Sequence, residues 1–317
     1  MAKKLICLLG GAGFIGQNLT QHLTEAGFAV RIPTRKRERV KKDLIVHPTV
    51  DVIEANVMDQ SSLDTVTSGC DIVINLVGVL NETKGESFIN THVDFPRQII
   101  SACKKNSITR LIHLSAIGVS SEAPSKYLKS KWQGEEAIKL GSQGVIKTTI
   151  LRPSIVFGDG DSFINLFVKI IALSPLIPLV KSDALLQPIY VGNVSTVVTK
   201  ILDSTETGGK TYELGGPKIY TFKEILNIIC LSQKRRRVII PMPSVASTMI
   251  ARFTEKFPLK ILTRDNLLSL TIDNTTSQNF STIFNIKPES LESYLQEKFQ
   301  TVDQYNRKAK RRSSANR

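Results

Sequence analysis

The stretch Leu5-Ile6-Cys7-Leu8-Leu9-Gly10-Gly11-Ala12-Gly13-Phe14-Ile15-Gly16 decides the fold. Its five leading apolar residues read as a buried strand. The glycines at 10, 13 and 16 read as a tight turn, and the run Gly13–Glu25 reads as a helix. Strand, glycine turn and helix in that order build a phosphate cradle. The glycines let the backbone approach a pyrophosphate and let the helix lie close on the strand. The helix N-terminus offers free N–H groups and a positive dipole end to the anion. Gly10, Gly13, Phe14, Ile15 and Gly16 are therefore candidate nucleotide contacts.

Working outward, strand-like runs recur at Ala29–Ile32, Asp51–Glu54, Ile72–Leu76, Arg110–Leu114 and Thr148–Arg152. Helical patterns lie between them, notably Glu86–Lys105 and Ser125–Leu140. Strand–helix repetition of this kind predicts an α/β fold, a doubly wound parallel (Rossmann) sheet with right-handed crossovers. Residues 1–160 form the expected dinucleotide-binding domain, with a return segment at 188–205, where Ile189–Leu202 rejoins the sheet. Residues 161–187 and 206–306 read as a smaller, mainly helical C-terminal substrate part, with helices at 221–231, 243–256 and 288–299. Residues 307–317 form a basic, low-complexity tail expected to be disordered.

The 317 residues carry 42 Lys+Arg against 28 Asp+Glu, a net charge of +14. Such a balance first suggests nucleic acid or a membrane surface. The excess sits in three places: Arg31, Arg35, Lys36, Arg37, Arg39, Lys41 and Lys42 around Glu38; Lys234–Arg237; and Arg307 onward. The rest of the chain is close to neutral, which argues against a general basic face, and no aromatic residues interleave the tail, so no nucleic-acid partner is expected. The four cysteines form no CxxC pair and the four histidines show no metal-ligand spacing, so no metal is expected and the histidines read as structural or surface residues. The apolar stretch Phe163–Val180 is broken by Lys169, Pro175 and Pro178, which argues against a membrane span.

The end of the second strand selects the nucleotide. An Asp or Glu there accepts the ribose hydroxyls of NAD. Here the stretch reads Arg31-Ile32-Pro33-Thr34-Arg35-Lys36-Arg37, with no acid before Glu38. Arg35 is placed to pair with a 2′-phosphate, which favours NADP(H) over NAD(H).

Tyr127 and Lys131 stand four apart on a predicted helix and share a face. An ammonium beside a phenol lowers the phenol's pKa, so Tyr127 is expected to act as an acid or base near neutrality. Ser115, at the end of the preceding strand, is placed to bond a substrate carbonyl. Spacing alone proves little, since Tyr294 and Lys298 repeat it.

Together these residues resemble the short-chain dehydrogenase/reductase superfamily in its extended and atypical, epimerase/dehydratase-like branches. Gly10/Gly13/Gly16 match its glycine motif, and Ser115, Tyr127 and Lys131 match its catalytic triad. The resemblance implies an adenine-contacting step at Asn56-Val57, a ribose-side turn at Val77-Gly78, and a nicotinamide border within Arg152–Gly158, including Pro153, Ser154 and Ile155. The stretches Leu114–Gly118, Gln187–Val191, Tyr212–Pro217 and Leu262–Asn266 look like bacterial relatives of the NAD(P)H-binding accessory subunit of respiratory complex I, the alpha-subcomplex subunit nine. The family implies tightly held NADPH.

Two functions are expected from this. One is an NADP-dependent oxidoreductase or epimerase-like enzyme acting on a small molecule, linked to quinone or respiratory metabolism. The other is a non-catalytic NADPH-binding structural or assembly protein, partnered by a respiratory complex or an anionic membrane surface. For the second, the basic amphipathic segment Val245–Phe257 and the Lys234–Arg237 run would make the contact. Few residues precede the first strand, so a cytoplasmic location is expected, with peripheral attachment to the inner membrane in the second reading.

Overall fold

The computed structural model describes residues 3–38, 48–83, 85–243 and 263–301. The expected alternation is present. β1 (Leu5–Leu9) leads into α1 (Phe14–Glu25), then β2 (Ala29–Thr34), β3 (Val50–Glu54), α2 (Gln60–Thr67) and β4 (Ile72–Asn75). After these come α3 (Phe95–Lys105), β5 (Arg110–Leu114), α4 (Lys126–Ser142) and β6 (Lys147–Pro153), and the last sheet strand is β7 (Thr211–Leu214). The seven strands are parallel in the order β7-β6-β5-β4-β1-β2-β3. The chain runs outward from β1 to β3 and then jumps back to β4. The carboxyl ends of β1 and β4 thus form the switch point where open α/β sheets bind ligands.

Strand alternation builds two cores. Ile6 and Leu8 of β1, with Ile72, Ile74, Ile112 and Leu114, pack under Leu19 and Leu23 of α1 and under Val194, Val197 and Val198 of α6 (Val191–Asp203). Cys7 and Leu9, with Val73 and Leu111, pack on the other face under Leu63, Phe95, Ile99 and Ile138. Helices therefore cover both faces, and the central strand β1 is apolar throughout.

The return to the sheet differs from expectation. Ile189–Tyr190 pairs with Val156–Phe157 in a separate two-stranded ribbon, and the residues after it form α6 against α1. Thr211–Leu214 makes the return instead, beside β6. The remaining residues form a second layer with its own core, in which Phe157, Ile164 and Ile171 meet Phe222, Ile225 and Ile229. Its elements include α5 (Phe163–Leu173), the parallel ribbon Leu176–Val180/Val238–Met242, α7 (Phe222–Ser232), α8 (Arg264–Ser269) and helical residues 291–301, whereas α9 (Phe280–Phe284) packs back on the sheet core beside β7. The apolar stretch at 163–180 is thus a helix and a strand, and no described helix is long and apolar enough to cross a membrane. The amphipathic segment Val245–Phe257 and the basic tail lie outside the described residues.

Part of the basic charge has a structural use. Arg235 donates to Ala172 O at 2.9 Å and Arg237 to Ile171 O at 2.7 Å, satisfying carbonyls at the end of α5. Arg31 donates to the carbonyls of Val66 and Ser68 at the end of α2.

One glycine sets how closely α4 approaches its neighbour. A Cβ on Gly134 would sit 1.9 Å from the carbonyl oxygen of His92. Gly134→Ala is expected to destabilise the protein by about 1–3 kcal/mol or more through overpacking, read as a lowered urea midpoint with an unchanged slope.

Candidate functional site

The glycine turn has the strain and the crowding its role requires. Gly10 adopts φ +82°, and a Cβ there would lie 3.1 Å from the Leu76 carbonyl carbon. On Gly16 a Cβ would fall 2.5 Å from both Gly10 O and Gly11 Cα, so only glycine lets α1 start this close to β1. Gly13 is the N-cap of α1 and no side chain caps the helix, so its leading amides are left to a ligand. The Phe14 ring reaches toward Gly158, whose Cβ would lie 3.3 Å from it, and Ile15 packs against the sheet core.

The other sequence-predicted contacts gather at the same edge. Arg35 follows β2, is exposed, and pairs with Glu86 at 3.0 Å. Exposed pairs contribute about 0–1 kcal/mol, so a phosphate can compete for this guanidinium. Asn56 and Val57 follow β3, where Asn56 accepts from Met58 N–H at 3.3 Å and Val57 packs on the sheet. Val77 and Gly78 follow β4, and Val77 N–H donates to the Asn75 carboxamide at 3.0 Å. Pro153 closes β6 and accepts from Ile117 N–H. Ser154 and Ile155 have another partner. The Ser154 hydroxyl and the Ile155 N–H both bond Oδ1 of Asn274, at 2.5 and 3.1 Å. Asn274 also donates its own N–H to Leu185 and accepts from Gln187, so these two residues tie the C-terminal part to β6.

Ser115, Tyr127 and Lys131 lie around the carboxyl end of β5, where Lys131 bonds the carbonyl of Leu114, just before Ser115, and Tyr127 packs in the apolar cluster with Ala116, just after it. Ser115 is buried and its Oγ has no hydrogen-bond partner among the described residues. Tyr127 and Lys131 stand one turn apart on α4. Lys131 is 6% exposed and its Nζ donates to Leu114 O at 3.1 Å. A Cβ on Gly78 would meet that ammonium at 3.0 Å, so the turn after β4 lies directly against it. The electrostatics correct the sequence expectation. Burial holds the Tyr127 phenol up at about 12 rather than lowering it. Burial also pushes Lys131 down to about 8, partly opposed by Glu135. The cause is desolvation: the ammonium is directed at a carbonyl, and the phenol sits among Ala116, Val119, Leu128 and Ile272.

Sequence reasoning missed two histidines beside this triad. His92 lies in a π-helical turn, Asn90–Asp94, just before α3, and its ring stands edge-on to Tyr127 at 5.6 Å. It accepts Val79 N–H at Nε2 (3.1 Å) and lies 2.8 Å from Ser130 Oγ at Nδ1. His113, on β5, bonds the Asn75 carboxamide at 3.0 Å. Burial and Lys131 drive both below the usual histidine range, to about 2 and about 3, so both are neutral. The sequence marked neither: one lies in the helical pattern 86–105 and the other in a strand-like run, and both read as structural residues.

The C-terminal part closes over the triad. Asp265 accepts from the backbone N–H groups of Lys126 and Tyr127 at 2.7 and 3.0 Å, completing the N-terminal cap that Ser125 begins. Ser269 donates to Ser125 Oγ, and Thr263 to the Asn81 carboxamide. Residues 263–269 therefore strap the start of α4 to the loop after β4. The second Tyr-x-x-x-Lys pair also works as a tie: Tyr294 and Lys298 both donate to Asp159, at 2.8 and 2.9 Å.

The depressed Lys131 makes stability depend on pH. Its folded value, about 8, lies below its unfolded value of 10.5. Between these values the unfolded chain binds more protons, so this residue makes stability rise with pH from about 8 to 10.5. Urea unfolding of Lys131→Met is expected to lose that rise while the wild type keeps it. Asp265→Ala is expected to cost about 0.5–2 kcal/mol through loss of the cap, measured the same way.

Comparison with known proteins agrees with this geometry. A family model described as the NAD dependent epimerase/dehydratase family matches residues 6–215. The NADH dehydrogenase [ubiquinone] 1 alpha subcomplex subunit 9 of Dictyostelium discoideum, a mitochondrial protein, is 32% identical over 225 residues, which is 70% of this chain and 62% of that protein. The Arabidopsis thaliana protein of the same name is 31% identical over 290 residues, covering 86% of this chain and 71% of its own length. The chain thus spans about two thirds of the length of these relatives. In fold it is similar to UDP-glucuronic acid 4-epimerase from Bacillus cereus, solved with UDP-glucuronic acid and NAD, with a TM-score of 0.71 over 95% of this chain and 99% of that one at 17% identity. On the match over residues 6–215 and the Arabidopsis identity, the chain belongs to the NAD dependent epimerase/dehydratase family.

Proposed function

We propose that this protein is an NADP(H)-dependent oxidoreductase of the short-chain dehydrogenase/reductase type. The observation that carries the reading is the buried Ser115 Oγ, without a hydrogen-bond partner among the described residues, at the end of β5 next to the carbonyl that the buried Lys131 holds, with Tyr127 packed on the cluster of Ala116. The residues present fit a dinucleotide. Gly10 turns the chain at a positive φ, Gly16 lets α1 begin close against β1, α1 has no side-chain cap, and no acid precedes Glu38 after β2. Gly10, Gly13, Phe14, Ile15 and Gly16 would hold the pyrophosphate, and Arg35 the 2′-phosphate. Asn56 and Val57 would meet the adenine, and Val77, Gly78 and Lys131 the ribose. The segment at Pro153–Ile155 borders the nicotinamide end in this reading. When bound, the nicotinamide supplies or accepts a hydride.

The chain's own residues do the rest. Ser115 Oγ–H bonds the oxygen of a small-molecule carbonyl and orients it. The phenol of Tyr127, protonated across the physiological range, donates its proton to that oxygen as negative charge develops there. Lys131, with a value of about 8, sits close enough to neutrality to exchange protons behind it. The strap at 263–269 excludes water from the same side. In this reading the nucleotide-binding part is residues 1–160 with 188–205 and the returning strand 211–214, and the rest of the C-terminal part acts as the lid. We place the protein in the cytoplasm.

The relatives' names support a second reading, in which the nucleotide is held without turnover and the chain docks on a respiratory complex at the membrane surface. The nucleotide that co-purifies separates the two. Slow or absent exchange against labelled NADPH supports the structural role, and exchange within seconds supports the enzyme. Arg35→Ala is expected to weaken NADPH about tenfold or more and leave NADH unchanged, by titration calorimetry, as the loss of one charge-assisted phosphate contact requires. Equal effects on both nucleotides would sink the NADP(H) preference.

A further inference from the structure

The buried polar groups around Lys131 include a relay whose direction can be assigned. Val79 N–H is a fixed donor to His92 Nε2 at 3.1 Å, so Nε2 bears the lone pair and Nδ1 carries the proton. The Ser130 hydroxyl donates to Tyr127 O at 2.8 Å, so its oxygen is free to accept from His92 Nδ1–H, 2.8 Å away. The chain therefore runs one way: Val79 N–H to His92, His92 to Ser130, Ser130 to the backbone of Tyr127. His92 and Ser130 are each 2% exposed, so every member pays for desolvation and each bond matters.

The two ends of this relay belong to different parts of the site. Val79 ends the turn Val77-Gly78-Val79 after β4, and Ser130 lies between Tyr127 and Lys131 on α4. Both His92 Nε2 and Lys131 Nζ converge on Gly78, lying 3.5 and 3.0 Å from where its Cβ would be. The ring also stacks on Phe88 at 5.6 Å, and Phe88 stands edge-on to Tyr127 at 6.0 Å. The π-helical turn at Asn90–Asp94 and the missing Cβ of Gly134 let the ring enter this space.

We propose that His92 is a positioning residue that couples the nucleotide-side turn after β4 to the helix carrying Tyr127 and Lys131. A shift of Val77–Val79 on nucleotide binding moves the acceptor requirement at His92 Nε2, and the ring passes it to the first turn of α4. The groups facing His92 are Val79 N–H from the turn, Ser130, Tyr127 and Lys131 from α4, His113 from β5, and Phe88 from the segment before it. None of these is a carboxylate, and the coupling needs no change of protonation.

The inference rests on nucleotide binding at this site, and the test separates the two. Ring-nitrogen NMR on the full chain, with His92→Gln used for assignment, is expected to show His92 as the neutral Nδ1–H form at pH 6. Its Nε2 signal is expected to move when NADPH is added. Ser130→Ala removes the middle link with little change of volume. Its NADPH Kd is expected to rise about fivefold, and the Nε2 response is expected to vanish. His92→Phe should weaken NADPH at least as much, the double variant no further, and His92→Gln should recover most of the affinity because its amide keeps one donor and one acceptor. A Nε2–H tautomer, or Ser130→Ala with wild-type affinity and an intact Nε2 response, would overturn the proposal. If His92→Phe does not fold, Ser130→Ala and His92→Gln still decide it. If the wild type does not bind NADPH, the functional reading itself fails.

Discussion

The site depends on one close approach, that of α4 to β5 and to the turn at His92. Gly134 permits it, because any side chain there would meet the His92 carbonyl. The approach carries Lys131 inward until its Nζ reaches Leu114 O. One turn further along the same buried face the helix is held by Glu135, fully buried and clasped by Arg152 at 2.9 and 2.7 Å. A bidentate charge-assisted pair of this kind fixes orientation as well as distance. Pinned at two successive turns of its buried face, α4 cannot roll without breaking a buried pair or exposing an ammonium. The placement of Tyr127 follows from that.

The C-terminal part adds a second constraint of a different kind. Its core is apolar and Phe280 and Phe284 pack into the core of the sheet, but its ties around the carboxyl ends of the strands are polar and directional. Asp265 meets the first amides of α4, Thr263 meets Asn81, Asn274 meets Ser154 and Ile155, and Tyr294 with Lys298 meets Asp159. All of these land on loops at the carboxyl ends of the strands. Each exchanged against water contributes only about 0.5–1.5 kcal/mol. A layer held this way can part locally to admit a substrate while its own core stays intact, which an apolar seam of the same size would resist.

The sequence made legible what local pattern dictates. The glycine turn and the alternation of β1 to β6 with their helices follow from spacing within a few residues, and the same spacing puts Tyr127 and Lys131 on one helix after the strand that ends before Ser115. It did not reveal His92, Asp265 or Asn274 in their roles, because those depend on contacts across 38 to 139 positions of the chain. The Tyr127–Lys131 chemistry shows the limit most clearly. Spacing of four places two side chains on one helical face but says nothing of burial. At Tyr294 and Lys298, outside the nucleotide edge, the same spacing gives direct contact at 3.0 Å. At Tyr127 and Lys131 the lysine turns to a backbone carbonyl, and burial moves both groups toward their neutral forms.

Burial also reinterprets the charge. A net of +14 suggests a surface ready for polyanions, yet the guanidiniums resolved in the fold are largely committed. Arg31, Arg235 and Arg237 satisfy carbonyls at helix ends, and Arg152 is locked to Glu135. Arginine suits this use because its planar fork serves several acceptors and its weak hydration makes partial burial tolerable. Arg35 differs from these, since its partner Glu86 is an exposed carboxylate across a solvent-facing pair rather than a helix end. Of the basic residues on the nucleotide edge, it is therefore the one whose charge can be transferred to a ligand at small cost to the fold.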